Sequence, residues 1–483
     1  MIKTASAALL AVGLTATLAS PAAAADEPWP ERPLATSTPI ASPRHGPLTE
    51  EELAMARQAW RYFEVNWQPD TGLANSVMGY PVATLWDTAS YLAAIVAASE
   101  FEIITMQEAD ERLELLLTTL AHLELYRQDC PNKAYDTRTA FPTDYNNNPG
   151  EIGCSALDMG RLMVWLKIVE QRHHEFEPLV RRTLRRWNWC GIMGEPGVMR
   201  GATVAEDGTT VYLQEGRLGY EEYAASGFAL WGFGVDDALK PEPFETTWLH
   251  GVEVPHDSRD LSDYGAHNSV VTEGYALYGM EFGWSELDGD TLSAWVGRAA
   301  QNIYEVQHRR HQATGILTAR SEHQLLDDPY FVYDSIFSND EPWATITEDG
   351  RSVPAHAAVS LKGALGLWAL WDTPYTDELF DAIATQFEPE FGFHEGLYED
   401  GRGPILQQTA NNNGIILETL LFKVEGPLLR PESDPAGWLR TSDSALNRCL
   451  PGAPPTPWTP ADQLGMANPD RVYGTCDAGV EAD

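Results

Sequence analysis

Carboxylates interleaved with aromatic and amide side chains recur along the chain: Trp86-Asp87, Asp144-Tyr145-Asn146, Asp158, Glu215, Tyr220-Glu221-Glu222-Tyr223, Glu273, Tyr333-Asp334, Trp343, Glu395, Tyr398-Glu399 and Asn411 to Asn413. A sugar ring offers an apolar face for stacking and hydroxyls for hydrogen bonding, so a carbohydrate cleft calls for these residue types together. Cleavage of a glycosidic bond further needs two carboxyl groups in different protonation roles. Trp86, Tyr333, Trp343 and Tyr398 are the stacking candidates. Tyr220, Glu221, Glu395, Asn412 and Arg320 are candidates for bonding sugar hydroxyls or orienting a carboxylate. Arg161 follows Asp158 by three residues and reads as its salt-bridge partner.

Other chemistries lack their signatures. The chain has no nucleophile elbow, phosphate-binding loop, HExxH pair or dinucleotide-binding glycine loop. His173-His174 and His394 lack the spacing of a zinc site, so neither metal nor cofactor is expected. Lys plus Arg number 32 against 71 Asp plus Glu, a formal net charge of -39, which argues against a nucleic acid partner. A polysaccharide or oligosaccharide remains the expected partner.

Composition places these residues on a folded scaffold: 483 residues, 43% of them hydrophobic, exceed one minimal domain. Residues 1–25 combine a basic start at Lys3, an apolar run from Ala7 to Leu18 and a small-residue exit, the pattern of a cleaved export signal. No later stretch is long and apolar enough to span a membrane, so a periplasmic or secreted protein without stable membrane insertion is expected. Residues 26–47 read as an extended Pro-rich arm, 48–428 as the folded body and 429–483 as an irregular extension packed on it. Among five cysteines, a Cys449–Cys476 bridge would staple that extension, Cys130 and Cys154 are a second candidate pair, and Cys190 reads as a buried thiol.

The elements that must position the acids are helical. Thr49 with Glu52, and Thr105 with Glu108, form capping boxes at the heads of apolar-periodic runs; the second run is ERLELLLTTLAHLELY, with leucines up to Leu123 at helical spacing. Further helices are expected near 87–99, 155–172, 175–186, 222–232, 273–283, 290–310, 354–371, 376–386 and 413–422, with one β-hairpin around Asp207-Gly208. Some helices are apolar nearly all round and open with an acid, whereas others are amphipathic. An inner and an outer ring accommodate both kinds. The expected fold is all-α, an (α/α)6 toroid or double-layered helical barrel with long loops and a small β-hairpin, acids at inner-helix starts facing one mouth.

PDTGLAN at Pro69, TLWDTASYLAAIVAA at Thr84, CSALDMGRL at Cys154, YEEYAASGFALWG at Tyr220, PYFVYDSIFSNDEPW at Pro329, FHEGLYEDG at Phe393 and TANNNGIILETLLFKVEGPL at Thr409 share one order. Together they resemble the bacterial domain-of-unknown-function family 3131. That family is distantly similar to the glucoamylase-like enzymes, which include endo-β-1,2-glucanases and the cyclising domain of cyclic β-1,2-glucan synthase. The shared elements are a Pro-x-Thr-Gly-Leu loop, a Ser-x-x-Asp helix start and a Tyr-x-Glu-Tyr helix start. The resemblance implies an (α/α)6 barrel and an endo-acting, inverting β-1,2-glucanase. It places the proton donor on Glu222, whose neighbour Glu221 would help keep it protonated, and Asp158 in the cleft. The base is then Asp87, Asp158 or Asp334. A non-catalytic glucan-binding or envelope-assembly protein is the alternative.

Overall fold

Helix starts follow their capping signals. The computed structural model describes residues 42–193, 197–215, 218–241, 243–259, 267–284 and 291–432. In α1 (Glu50–Asn66) the Thr49 hydroxyl accepts from the Glu52 N–H at 3.2 Å, and the Glu52 carboxylate accepts from the Thr49 N–H at 2.7 Å. In α3 (Met106–Leu120) half the expected box forms: Thr105 accepts from the Glu108 N–H, but the Glu108 carboxylate turns to Arg112 Nε at 3.0 Å. This helix ends at Leu120, because Leu125–Tyr126 pairs as a strand with Cys130–Pro131; the buried leucines continue past the helix without its geometry.

All eleven expected helices occur, with α2 at Leu85–Glu100, α4 at Ala156–Arg172, α5 at Glu177–Arg186 and α7 at Tyr220–Ala229, and a short α6 at Trp189–Ile192 is an unexpected twelfth among the described residues. They continue with α8 (Glu273–Glu281), α9 (Leu292–Thr314), α10 (Leu361–Leu370), α11 (Pro374–Ile383) and α12 (Ala410–Glu425). The helix expected from residue 354 begins only at Leu361. Pro354–His356 forms a single 3-10 turn, and Ala358–Ser360 pairs with Gly396–Tyr398.

Six helices close a ring: α2 packs on α4, α4 on α7, α7 on α8, α8 on α10, α10 on α12, and α12 back on α2. These are the helices that are apolar on nearly every side. The amphipathic ones lie against them, α1 on α12 and α2, α3 on α2, α5 on α4, α9 on α8 and α11 on α10. Small residues let the ring close. A Cβ on Gly227 of α7 would meet the Gly160 carbonyl oxygen of α4 at 2.1 Å, and one on Gly414 of α12 would meet the Ser90 oxygen of α2 at 2.4 Å. Gly227→Ala therefore pushes two backbones apart and is expected to cost about 3 kcal/mol, read as a lower urea midpoint with an unchanged slope.

The β content exceeds one hairpin. Arg200–Val204 pairs with Thr210–Gln214 around Asp207-Gly208 as expected, but Phe244–Leu249 with Val252–Asp257 makes a second hairpin, and the described residues hold eight small sheets. Most strands are only two to four residues long, and two pairs join remote segments, as Ala83 joins Tyr135 and Val359 joins Leu397, so local alternation does not reveal them. Cys130 and Cys154 form a disulfide immediately before α4. Cys449, Cys476, the side chain of Cys190 and residues 1–25, where an export signal is expected, lie outside the described residues. No described helix is long and apolar enough to cross a membrane.

Candidate active site

The first turns of all six ring helices meet at one mouth. At its centre is Glu273, first residue of α8. Its Oε1 accepts from Trp86 Nε1 of α2 at 3.1 Å and from Asn411 Nδ2 of α12 at 2.8 Å. Its Oε2 lies 3.2 Å from the Tyr220 hydroxyl of α7 and pairs with the Lys362 ammonium of α10. The Tyr220 hydroxyl also bonds Glu322, whose carboxylate is 3.5 Å from Lys362. Burial opposes the charge on Glu273, yet Lys362 and the bonds from Glu322 and Asn411 hold its carboxyl down at about 2. Glu322 moves the other way, raised by burial against the pull of Lys362 and then by Glu273. One carboxyl favoured as the ion and one pushed towards the acid form thus share a lysine and a tyrosine.

A buried network supports this centre. The Arg161 guanidinium lies under the Trp86 ring, 5.1 Å from its centroid, and donates to Tyr223, Glu281, Ser90 and Glu418 at 3.0–3.2 Å. Ser90 in turn donates to Asn411 Oδ1 at 2.8 Å. Trp86 is therefore clamped between a cation below and Tyr220 and Tyr223 edges beside it, at 5.5 and 5.9 Å. Arg161 is not the partner of Asp158, since it points along the ring's interior instead of back to its own helix start.

Asp87 and Asp158 occupy the third positions of α2 and α4, both half-buried. Asp87 accepts from the Thr84 hydroxyl at 2.7 Å; burial raises its carboxyl, while Ser76, Thr84 and Lys362 pull it back. Asp158 has weaker support for its charge. Burial, then Glu215 and Asp87, push it up to about 7. Glu215 accepts from the Ala156 and Leu157 N–H groups, so it caps α4 beside Asp158. Tyr145, 58% exposed, stands where its hydroxyl feels Asp158, Glu215 and half-buried Tyr333, giving the mouth an aromatic rim.

Several expected site residues lie elsewhere. Glu222 is 1% exposed and turns back to accept from the Gly219 N–H at 2.6 Å, capping α7; burial and then Glu221 raise it to about 8. Glu221 faces Arg259 at 2.9 Å and Gln214. Asp334 is fully buried, accepting from Arg320, the Thr345 hydroxyl and the Ala358 N–H, while Arg320 also grips Glu399 at 2.9 Å. Both carboxylate oxygens are thus engaged by the protein's own donors. Trp343 packs on the Arg310 guanidinium and Tyr398 on that of Arg402, so one face of each ring is taken by the protein's own cation, as Arg161 takes one face of Trp86. Glu395 bonds Thr409, Asn412 and the Gln324 N–H, fixing the start of α12 from beneath.

Sequence reasoning missed Glu322 and Lys362. Glu322 stands in a loop with no periodic signal. Lys362 had one: it is a lone cation in the otherwise apolar LKGALGLWAL helix, where only an acid-lined mouth repays its burial.

The solved structures share this fold. The chain is similar to an endo-β-1,2-glucanase from Chitinophaga pinensis solved with sophorotriose and glucose, at TM-score 0.55 and 12% identity over 79% of this chain and 94% of that one. It is similar to an endo-β-1,2-glucanase mutant from Talaromyces funiculosus solved with β-1,2-glucan, at TM-score 0.51 and 12% identity, covering 81% and 86%. A provisionally assigned glucoamylase from Bacteroides caccae gives TM-score 0.54 and 15% identity, covering 78% and 94%. No curated protein matches the chain. Residues 54–426, holding every ring helix and the mouth between them, match the family described as Protein of unknown function (DUF3131), and the chain belongs to that family.

Proposed function

We propose that the chain is an exported glycoside hydrolase with an (α/α)6 barrel that cleaves within a β-1,2-linked glucan, with residues 1–25 directing it to the periplasm or beyond. The observation that carries this reading is the pair of half-buried carboxyls, Asp87 and Asp158, at adjacent ring-helix starts above the Trp86–Glu273 floor. Asp158 is the proton donor, kept protonated by burial and neighbouring acids. Asp87, favoured in its charged form by Ser76, Thr84 and Lys362, is the base of an inverting displacement. Trp86, Tyr220, Tyr145 and Tyr333 supply aromatic surface to the sugar rings. The fold relatives solved with β-1,2-linked sugars support the choice of linkage.

The test is incubation of the mature protein with linear and cyclic β-1,2-glucan, β-1,3-glucan, cellulose and starch, following product sizes and the anomer first released. β-1,2-linked oligosaccharides with inverted configuration are expected. Because the donor must hold its proton, kcat/KM should fall as pH rises through about 7. Binding of β-1,2-glucan without product by folded protein would instead make the mouth a non-catalytic glucan receptor.

A further inference from the structure

At the far end of α4, three side chains converge without bonding one another. His173, the residue that ends α4, points its Nδ1 at Asp110 Oδ1 of α3, 4.0 Å away, and at Glu175 Oε1, 3.9 Å away. Both separations are too long for hydrogen bonds. The three ligand atoms nonetheless lie within 4.8 Å of one another. The His173 side chain is 9% exposed, and among the described residues neither ring nitrogen donates or accepts a hydrogen bond. Asp110 Oδ1 is also buried and without a hydrogen-bond partner. The nearby Arg172 guanidinium is already paired with Glu425 at 2.7 Å and Glu100 at 3.8 Å, so it does not neutralise the trio.

We propose that Asp110, His173 and Glu175 form a structural site for a zinc-class divalent cation that ties α3 to the end of α4. One imidazole and two carboxylates are a donor set suited to zinc and poorly suited to calcium, which takes six or more oxygens. Zinc ligands at about 2.0–2.2 Å place neighbouring ligand atoms about 3.3–3.6 Å apart, so the carboxylates need to move inward by about half an ångström to an ångström each. Asp110 and Glu175 have that freedom, at 43% and 60% side-chain exposure. The end of a helix, with its unpaired carbonyls, also favours a cation. The site lies about 22 Å along α4 from Asp158, so the ion would brace the fold and take no part in cleavage. Spacing in the sequence conceals it, because Asp110 comes from a different helix and only His173 and Glu175 are neighbours.

The test titrates zinc into the tag-free, chelator-treated protein by calorimetry and follows thermal unfolding with and without the ion. One zinc per chain and a raised melting temperature are expected. Asp110→Asn and Glu175→Gln, at partly exposed positions where folding is retained, should each weaken binding by at least about tenfold. Absence of zinc binding in the parent protein overturns the proposal. So does binding undiminished in the D110N/E175Q double variant, or calcium matching zinc in affinity.

Discussion

Asp158→Asn is expected to lower kcat/KM on β-1,2-glucan by about 10³-fold while leaving the melting temperature within a few degrees, because a positioned proton donor contributes about 10²–10⁴-fold. The change removes an ionisable proton from a half-buried side chain whose main hydrogen-bond partner, Ser155, can still serve an amide. Glu222→Gln provides the contrast. A glutamine oxygen can accept from the Gly219 N–H as the carboxylate does at 2.6 Å, so turnover should stay within a few-fold of the parent. Reducing-end assays on both purified variants, with circular dichroism to confirm folding, separate the two positions. If Glu222→Gln is as inactive as Asp158→Asn, Glu222 must swing into the mouth during turnover, and the donor assignment passes to it.

Arg161→Met should be the most destabilising single change in the ring, by about 3–5 kcal/mol in urea unfolding, since it strands charges in a dry interior. Arg161, Glu281 and Glu418 are all completely buried, and the guanidinium is what joins the two carboxyls. Burial and the neighbouring Glu418 already raise Glu281 far above the carboxylate range. Without the arginine, whose charge opposes protonation of both acids, Glu418 too is driven towards its protonated form or the ring must open to water. Adding Glu418→Gln to Arg161→Met should recover part of the loss. The same cation lies under Trp86, so the variant should also bind glucan less tightly even where it remains folded.

Capping residues made much of this arrangement readable in advance. Thr49, Thr84, Thr105, Ser155 and Thr409 each accept from the third residue of the helix they begin, which is a local contact and leaves a local signature. The same chemistry gives Glu222 a second role, as the cap of α7. An acid at the third helical position serves equally as cap or catalyst, and only the Gly219 contact distinguishes them. Asp334 shows the opposite difficulty: its aromatic neighbours in sequence suggested a cleft, but Arg320 and Thr345, drawn from other segments, enclose it. Glu322 was invisible because its partners, Tyr220, Glu273 and Lys362, come from three separate helices. Residues whose roles depend on one helix start were legible, and those defined by ring closure were not.

Closure of the ring also has an electrostatic result. Each helix start carries roughly half a positive elementary charge on its unpaired N–H groups, so six starts around one opening bring partial charge on the order of +3. That charge belongs to peptide groups. It does not titrate, and no single side-chain substitution removes it. A chain with a formal net charge of -39 can therefore gather Asp87, Asp158, Glu273 and Glu322 at its centre, the backbone charge adding to that of the Lys362 ammonium. The backbone of the ring acts as a second counterion for its acids, beside Lys362.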